Sequence, residues 1–128
     1  MKRLLLDTHA FLWWLSGDNT LGSQSQKLIA DTDNEIIVSA ATVWEIEIKR
    51  QLGKLTAPED IESIVGQCGF LPLPIALFHA QQAGRLPAHH RDPFDRMLIA
   101  QAQAEGLDIV TSDSAFKQYG IRIVNAVK

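Results

Sequence analysis

Short apolar runs alternate along the chain with longer stretches whose apolar positions recur three or four residues apart. Leu4-Leu5-Leu6 predicts a buried strand, and His9 to Leu15 an aromatic-rich helix ended by the turn-forming Ser16-Gly17-Asp18-Asn19. A second helix covers Ser23 to Asp31. Ile36-Ile37-Val38 is the next β-branched run. Ser39 then caps a helix from Ala41 to Leu52, with Lys49 and Arg50 in its last turn and Gly53 closing it. Pro58 at a first helical position, followed by Glu59 and Asp60, starts a helix reaching Gln67. Phe70-Leu71-Pro72 is at best a short extended piece, because Pro72 and Pro74 weaken it as a strand. A helix from Ala76 to Ala83 stops at Gly84, and Leu86 to Asp92 forms a polar loop rich in His and Arg. Pro93 begins the clearest helix, Phe94 to Glu105, with Gly106 as its stop. Ile109-Val110-Thr111 reads as a strand, followed by a short helix near Ala115 and a last strand from Ile121 to Val124.

Strands without polar alternation, each followed by a helix, describe a parallel sheet covered on both faces. The expected fold is a three-layer α/β/α sandwich with a central, mostly parallel sheet. Its ligands should gather at the carboxyl edge of the strands. With 128 residues, 46% apolar and 21% charged, the chain fits a single domain over 1–128 with a real core. A net charge of -3 excludes a globally basic nucleic-acid binder, so any contact with RNA must be local. The single cysteine, Cys68, allows no internal disulfide. Met-Lys-Arg runs into only three leucines before Asp7, too few for a secretory segment. No apolar run approaches the ~20 residues of a membrane helix. A cytoplasmic protein without membrane contact is therefore expected.

Three acids share the predicted carboxyl edge: Asp7 ends the first strand, Glu45 lies early in the helix after the second, and Asp113 follows the strand ending at Thr111. Asp95, in the first turn of the helix begun by Pro93, is placed to join them. Converging carboxylates repel unless they protonate or hold a cation, and oxygen ligands select hard ions such as Mg²⁺ or Mn²⁺. Such an ion suits phosphodiester hydrolysis. Each acid also has a plainer use. Glu45 is spaced to pair with Lys49, Asp92 to cap the helix at Pro93, Asp95 to complete a capping box as its third residue, and Asp113 to cap the short helix after it. Asp7, directly after three buried leucines, is the hardest to explain that way. His79, His89 and His90 lack the spacing of a zinc site. The cluster of Arg85, His89, His90, Arg91 and Arg96 reads either as a phosphate contact, with Arg96 nearest a proposed acid, or as a solvated loop. Trp13, Trp14 and Trp44 are expected to pack rather than stack on bases.

Four segments together resemble the PIN domain: Leu-Leu-Leu-Asp-Thr-His (4 to 9), Ser-Ala-Ala-Thr-Val-Trp-Glu-Ile (39 to 46), Asp-Pro-Phe-Asp-Arg-Met-Leu-Ile-Ala-Gln-Ala (92 to 102) and Val-Thr-Ser-Asp (110 to 113). The similarity covers nearly the whole chain and is greatest to the VapC toxins of bacterial type II toxin-antitoxin pairs, which are metal-dependent ribonucleases. By that resemblance the family's four acids fall on Asp7, Glu45, Asp95 and Asp113, all as catalytic and metal-binding residues. Asp7 and Asp95 would be direct ligands. Thr8 matches the small hydroxyl residue after the first acid and Ser112 precedes the fourth; both would face substrate. The resemblance further implies endonucleolytic cleavage of RNA leaving a 5′-phosphate and a 3′-hydroxyl, a cognate antitoxin and a homodimer. Two alternatives stand beside it. One is a catalytically silent module binding RNA or protein. The other is a phospho-acceptor domain, weakened because His9 stands where its haloacid-dehalogenase-like form needs a second acid.

Overall fold

A computed structural model of Met1–Lys128 forms five strands, β1 (Arg3–Leu6), β2 (Glu35–Ser39), β3 (Leu71–Leu73), β4 (Asp108–Thr111) and β5 (Ile123–Asn125). All pair in parallel, in the order β3-β2-β1-β4-β5. Six helices connect or flank them: α1 (Thr8–Ser16), α2 (Ser23–Ala30), α3 (Ala40–Gln51), α4 (Ile61–Gln67), α5 (Leu77–Arg85) and α6 (Pro93–Glu105), with a 3₁₀ turn over Ser114–Tyr119. No helix is long and apolar enough to cross a membrane.

Side chains alternate across the sheet and so build two cores. Leu4, Leu6, Ile36, Val38 and Val110 pack with Phe11, Ile29, Ile46, Ile61 and Val65 from α1 to α4. Leu5, Ile37 and Ile109 face the other way, onto Ala83 of α5, Leu98, Ile99 and Ala102 of α6, and Phe116. Because both faces are covered, the strands carry continuous apolar runs, as the sequence pattern requires.

Three boundaries differ from those expected. The helix expected at Pro58 begins at Ile61, because the Asp60 carboxylate caps the Ser63 N–H at 3.2 Å and fixes the start there. The weak Phe70-Leu71-Pro72 segment is a true strand shifted to Leu71–Leu73. It tolerates Pro72 because β3 lies at the sheet edge and needs to bond only β2. α5 runs through Gly84 to Arg85 and ends at Leu86, which is extended at φ -61°, ψ 146°. Pro87 disfavours a helical conformation at the residue before it, so it stops the helix where the glycine does not. The other predicted elements match within a residue or two, and Gly17 and Gly106 close α1 and α6 at positive φ.

β1 and β4 are neighbours, but the connection after β1 runs to β2 on one side and the connection after β4 runs to β5 on the other. That reversal opens a crevice beyond the carboxyl ends of β1 and β4, where Asp7 and Asp113 lie.

Candidate functional site

Asp7, Asp95 and Asp113 lie at the ends of elements beside the crevice, and Glu45 projects from within α3. Asp7 follows β1 and caps α1, its Oδ1 accepting the Ala10 N–H at 2.8 Å. This capping role was not evident in the sequence, yet it uses only one carboxylate oxygen. The group is buried, and that burial raises its pKa, against the pull of hydrogen bonds from Thr111 and the Ala10 N–H.

Glu45 lies in the second turn of α3. Its Oε1 accepts the Thr8 hydroxyl at 2.5 Å and its Oε2 the Lys49 ammonium at 2.6 Å. The pairing with Lys49 expected from spacing therefore exists, but around a buried carboxylate rather than an exposed one. The bond to Glu45 raises the Lys49 pKa, assisted by the charges of Glu45, Asp92 and Asp95. Thr8 is buried against Glu45, so it holds a carboxylate instead of facing substrate as expected. One turn before Glu45, the Thr42 hydroxyl is buried without a hydrogen-bond partner.

Asp92 caps α6, its Oδ1 accepting from Phe94 and Asp95 N–H groups at 2.8 and 3.2 Å. The capping box expected of Asp95 does not form, because the Asp92 N–H donates instead to His90 Nδ1 at 3.3 Å. The Asp95 side chain is thus left for the crevice. Its pKa is pushed up to about 7, first by burial, then by repulsion from Asp92, Asp7 and Glu45, with His90 opposing. Asp113 caps the 3₁₀ turn through Oδ1, at 2.9 Å from the Ala115 N–H, and holds Oδ2 toward the crevice.

His90 completes the cluster, and reading the sequence missed this role. Its Nε2 lies 2.8 Å from Asp113 Oδ2 and 3.2 Å from Asp95 Oδ2. The residue was visible in the basic loop, but spacing alone could not tell a phosphate contact from a contact with acids 5 and 23 residues away. Arg96, expected near phosphate, is committed elsewhere. Its Nη1 donates to the carbonyls of Pro87 and His90 and its Nη2 to those of Ala83 and Leu86, at 2.8 to 3.1 Å. The guanidinium sits beside four carbonyls of one bend, so it clamps the loop and has little to offer a phosphate. Arg85, Arg91 and Ser112 remain exposed. His79 is buried, accepting the Ala76 N–H at Nδ1 and facing Glu105 at Nε2, well apart from the acids in its bonding.

Trp13 and Trp14 pack against the first core, as expected. Trp44 does not: it is 61% exposed, edge-on to Phe94 beside Asp95. It also walls an apolar groove of about 470 Å³ with Val43, Val65, Phe70 and Pro72.

Among possible metal ligands the structure brings atoms of His90, Asp95 and Asp113 within 4.8 Å of one another, while Asp7 and Glu45 lie close enough to raise the Asp95 pKa. Carboxylates crowded in this way suit a hard divalent cation that would relieve the repulsion.

Comparison with known proteins bears on the family and the fold. The PIN domain family profile matches residues 4–121. Ribonuclease VapC16 of Mycobacterium tuberculosis is 39% identical over 67 residues, a match covering 49% of this chain and 46% of that protein, so under half of the relative's length is spanned. Among solved structures, VapBC-1 from nontypeable Haemophilus influenzae superposes with a TM-score of 0.68 at 14% identity, covering 98% of this chain and 99% of the other. FitAcB from Neisseria gonorrhoeae gives 0.67 at 20% identity, covering 96% and 97%. DNA-bound VapBC from Salmonella typhimurium gives 0.64 at 24% identity, covering 97% and 98%. At such identities these structures establish the shared fold.

Proposed function

Since the chain belongs to the PIN domain family, we propose that its 128 residues act as one domain, a metal-dependent endoribonuclease serving as the toxin of a type II toxin-antitoxin pair. The observation that carries this reading is the crowding of acids at the carboxyl edge of the sheet: Asp95 shares a cluster with Asp113 and lies near Asp92, Asp7 and Glu45, so that burial and these charges push its pKa up to about 7. Side chains arranged at that energetic cost are characteristic of functional sites.

Asp7 and Asp95 would hold a Mg²⁺ or Mn²⁺ ion directly, with Glu45 and Asp113 completing the site. When bound, such an ion supplies a water of lowered pKa and neutralises charge building on a phosphate oxygen. The chain's own residues do the rest. Thr8 and Lys49 fix both oxygens of Glu45, so its carboxylate enters the reaction already oriented. Arg85 at the end of α5 and Arg91 on the loop that follows are exposed and would take backbone phosphates, and the exposed Ser112, next to Asp113, would meet the substrate. Trp44 offers a ring face on which a base can stack. The water oxygen bonds to phosphorus and the P–O3′ bond breaks, leaving a 5′-phosphate and a 3′-hydroxyl.

RNA is the substrate, a cognate antitoxin the inhibitor, a second copy of the chain the homodimer partner, and the cytoplasm the place of action. The apolar groove beside Trp44 would seat apolar side chains of the antitoxin.

The test is cleavage of labelled RNA with end-group analysis, in Mg²⁺, in Mn²⁺ and in EDTA. Asp7→Asn and Asp95→Asn should each abolish cleavage, and expression of the wild type alone should arrest growth. Cleavage that survives EDTA, or full activity in both variants, would overturn the proposal.

A further inference from the structure

The loop before α6 is held far more firmly than a solvated connection needs. Arg96 bonds four of its carbonyls or those just before it. The Tyr119 hydroxyl accepts the His90 N–H at 2.7 Å and donates to the Pro87 carbonyl at 2.8 Å. The His90 ring stands edge-on to Phe116 at 5.4 Å. Arg96 and Tyr119 fix the backbone that carries His90, and Phe116 packs on its ring.

Its tautomer follows from its bonds. Nδ1 accepts from the Asp92 N–H, so the proton of a neutral ring sits on Nε2 and points at Asp113 Oδ2, beside Asp95 Oδ2. The three ligand atoms lie within 4.8 Å of one another. An ion bridging these two acids would lie about 2.1 Å from an oxygen of each. The Nε2–H already occupies the space between them.

We infer that His90 is a positioning residue whose Nε2–H stands in for a second cation between Asp95 and Asp113, making this a one-ion site. The inference rests on the nuclease reading and deepens it: Asp113 acts through His90 and is kept from drawing in a second ion. The donor role requires only an N–H in that place, whatever the charge of the ring.

The test is Mn²⁺ binding to the full chain, followed by titration calorimetry and by the electron paramagnetic resonance of bound Mn²⁺. The wild type should bind one Mn²⁺. His90→Ala should bind a second ion at least ten-fold more tightly than the wild type binds a second, with a spin-coupled signal from the pair. His90→Ser serves if the alanine protein fails to fold. His90→Gln, whose amide N–H reaches a similar place, should return to one ion, a rescue that loss of packing alone would not give. Two ions in the wild type, one ion in every His90 variant, or nitrogen hyperfine coupling that marks His90 as a ligand would each overturn the inference alone. No Mn²⁺ bound by the wild type, or binding unchanged in Asp7→Asn, would overturn the nuclease reading itself.

Discussion

Replacing Asp95 by Asn should stabilise the protein when metal is withheld, although it should destroy the activity. The carboxyl group has an ordinary pKa of 3.8 and is held at about 7 in the folded chain. A folded-state pKa above the unfolded value means that the group's ionisation opposes folding. The contribution of this group to wild-type stability is therefore full below about pH 4, falls as pH rises from there through about 7, and then levels off. At about 1.4 kcal/mol per tenfold change, the gap sets a ceiling of about 4 kcal/mol. Several effects reduce the gain. The side chain is a quarter exposed, which screens part of the repulsion. As the third residue of α6, the carboxylate also favours the helix dipole by about 0.3–1 kcal/mol, which Asn gives up. It loses the contact with His90 as well. A net gain of about 1–2 kcal/mol at pH 8 is expected, or about 3–8 °C in Tm for a domain of this size. The assay is urea and thermal denaturation of both proteins in EDTA at pH 5 and pH 8. Saturating Mg²⁺ should reverse the order, since an ion at a hundred times its Kd stabilises the wild type by about 2.7 kcal/mol and leaves the variant unchanged. A variant no more stable than wild type in EDTA at pH 8, or an advantage as large at pH 5, would refute the reasoning.

Arg96→Ala strands the carbonyls of Ala83, Leu86, Pro87 and His90, and should cost about 2–4 kcal/mol in urea denaturation, with faster tryptic cleavage at Arg91. Trp44→Ala removes an exposed ring, so RNA binding measured by fluorescence anisotropy should weaken by about 1–3 kcal/mol while Mn²⁺ affinity stays constant. Glu45→Gln takes away the carboxylate whose hydrogen bond raises Lys49, and the Lys49 pKa read by NMR should fall toward 10.5. An unchanged Lys49 would show that the pair does not form in solution.

The sequence determined a good deal. Uninterrupted apolar runs such as Leu4-Leu5-Leu6 and Ile109-Val110 can be satisfied only by strands covered on both faces, which fixes the layered architecture. Helix ends marked by Ser39, Asp92, Gly17 and Gly106 are local chemistry and were legible as such. Asp7 stood out because an acid beside buried leucines is costly without a use. Asp60 and Pro87 were local signals too, but each competed with a neighbouring signal, at Pro58 and Gly84, and only the folded backbone settled which prevailed. What the tertiary structure alone decided is partnership across distance. The capture of Thr8 by Glu45, the diversion of Arg96 onto carbonyls and the wedging of His90 between Asp95 and Asp113 all depend on which atoms meet when α1 meets α3 and when α6, β4 and the loop before α6 converge. Hydrogen bonds act over about 3 Å, and spacing along the chain carries no information at that scale unless the residues share one element.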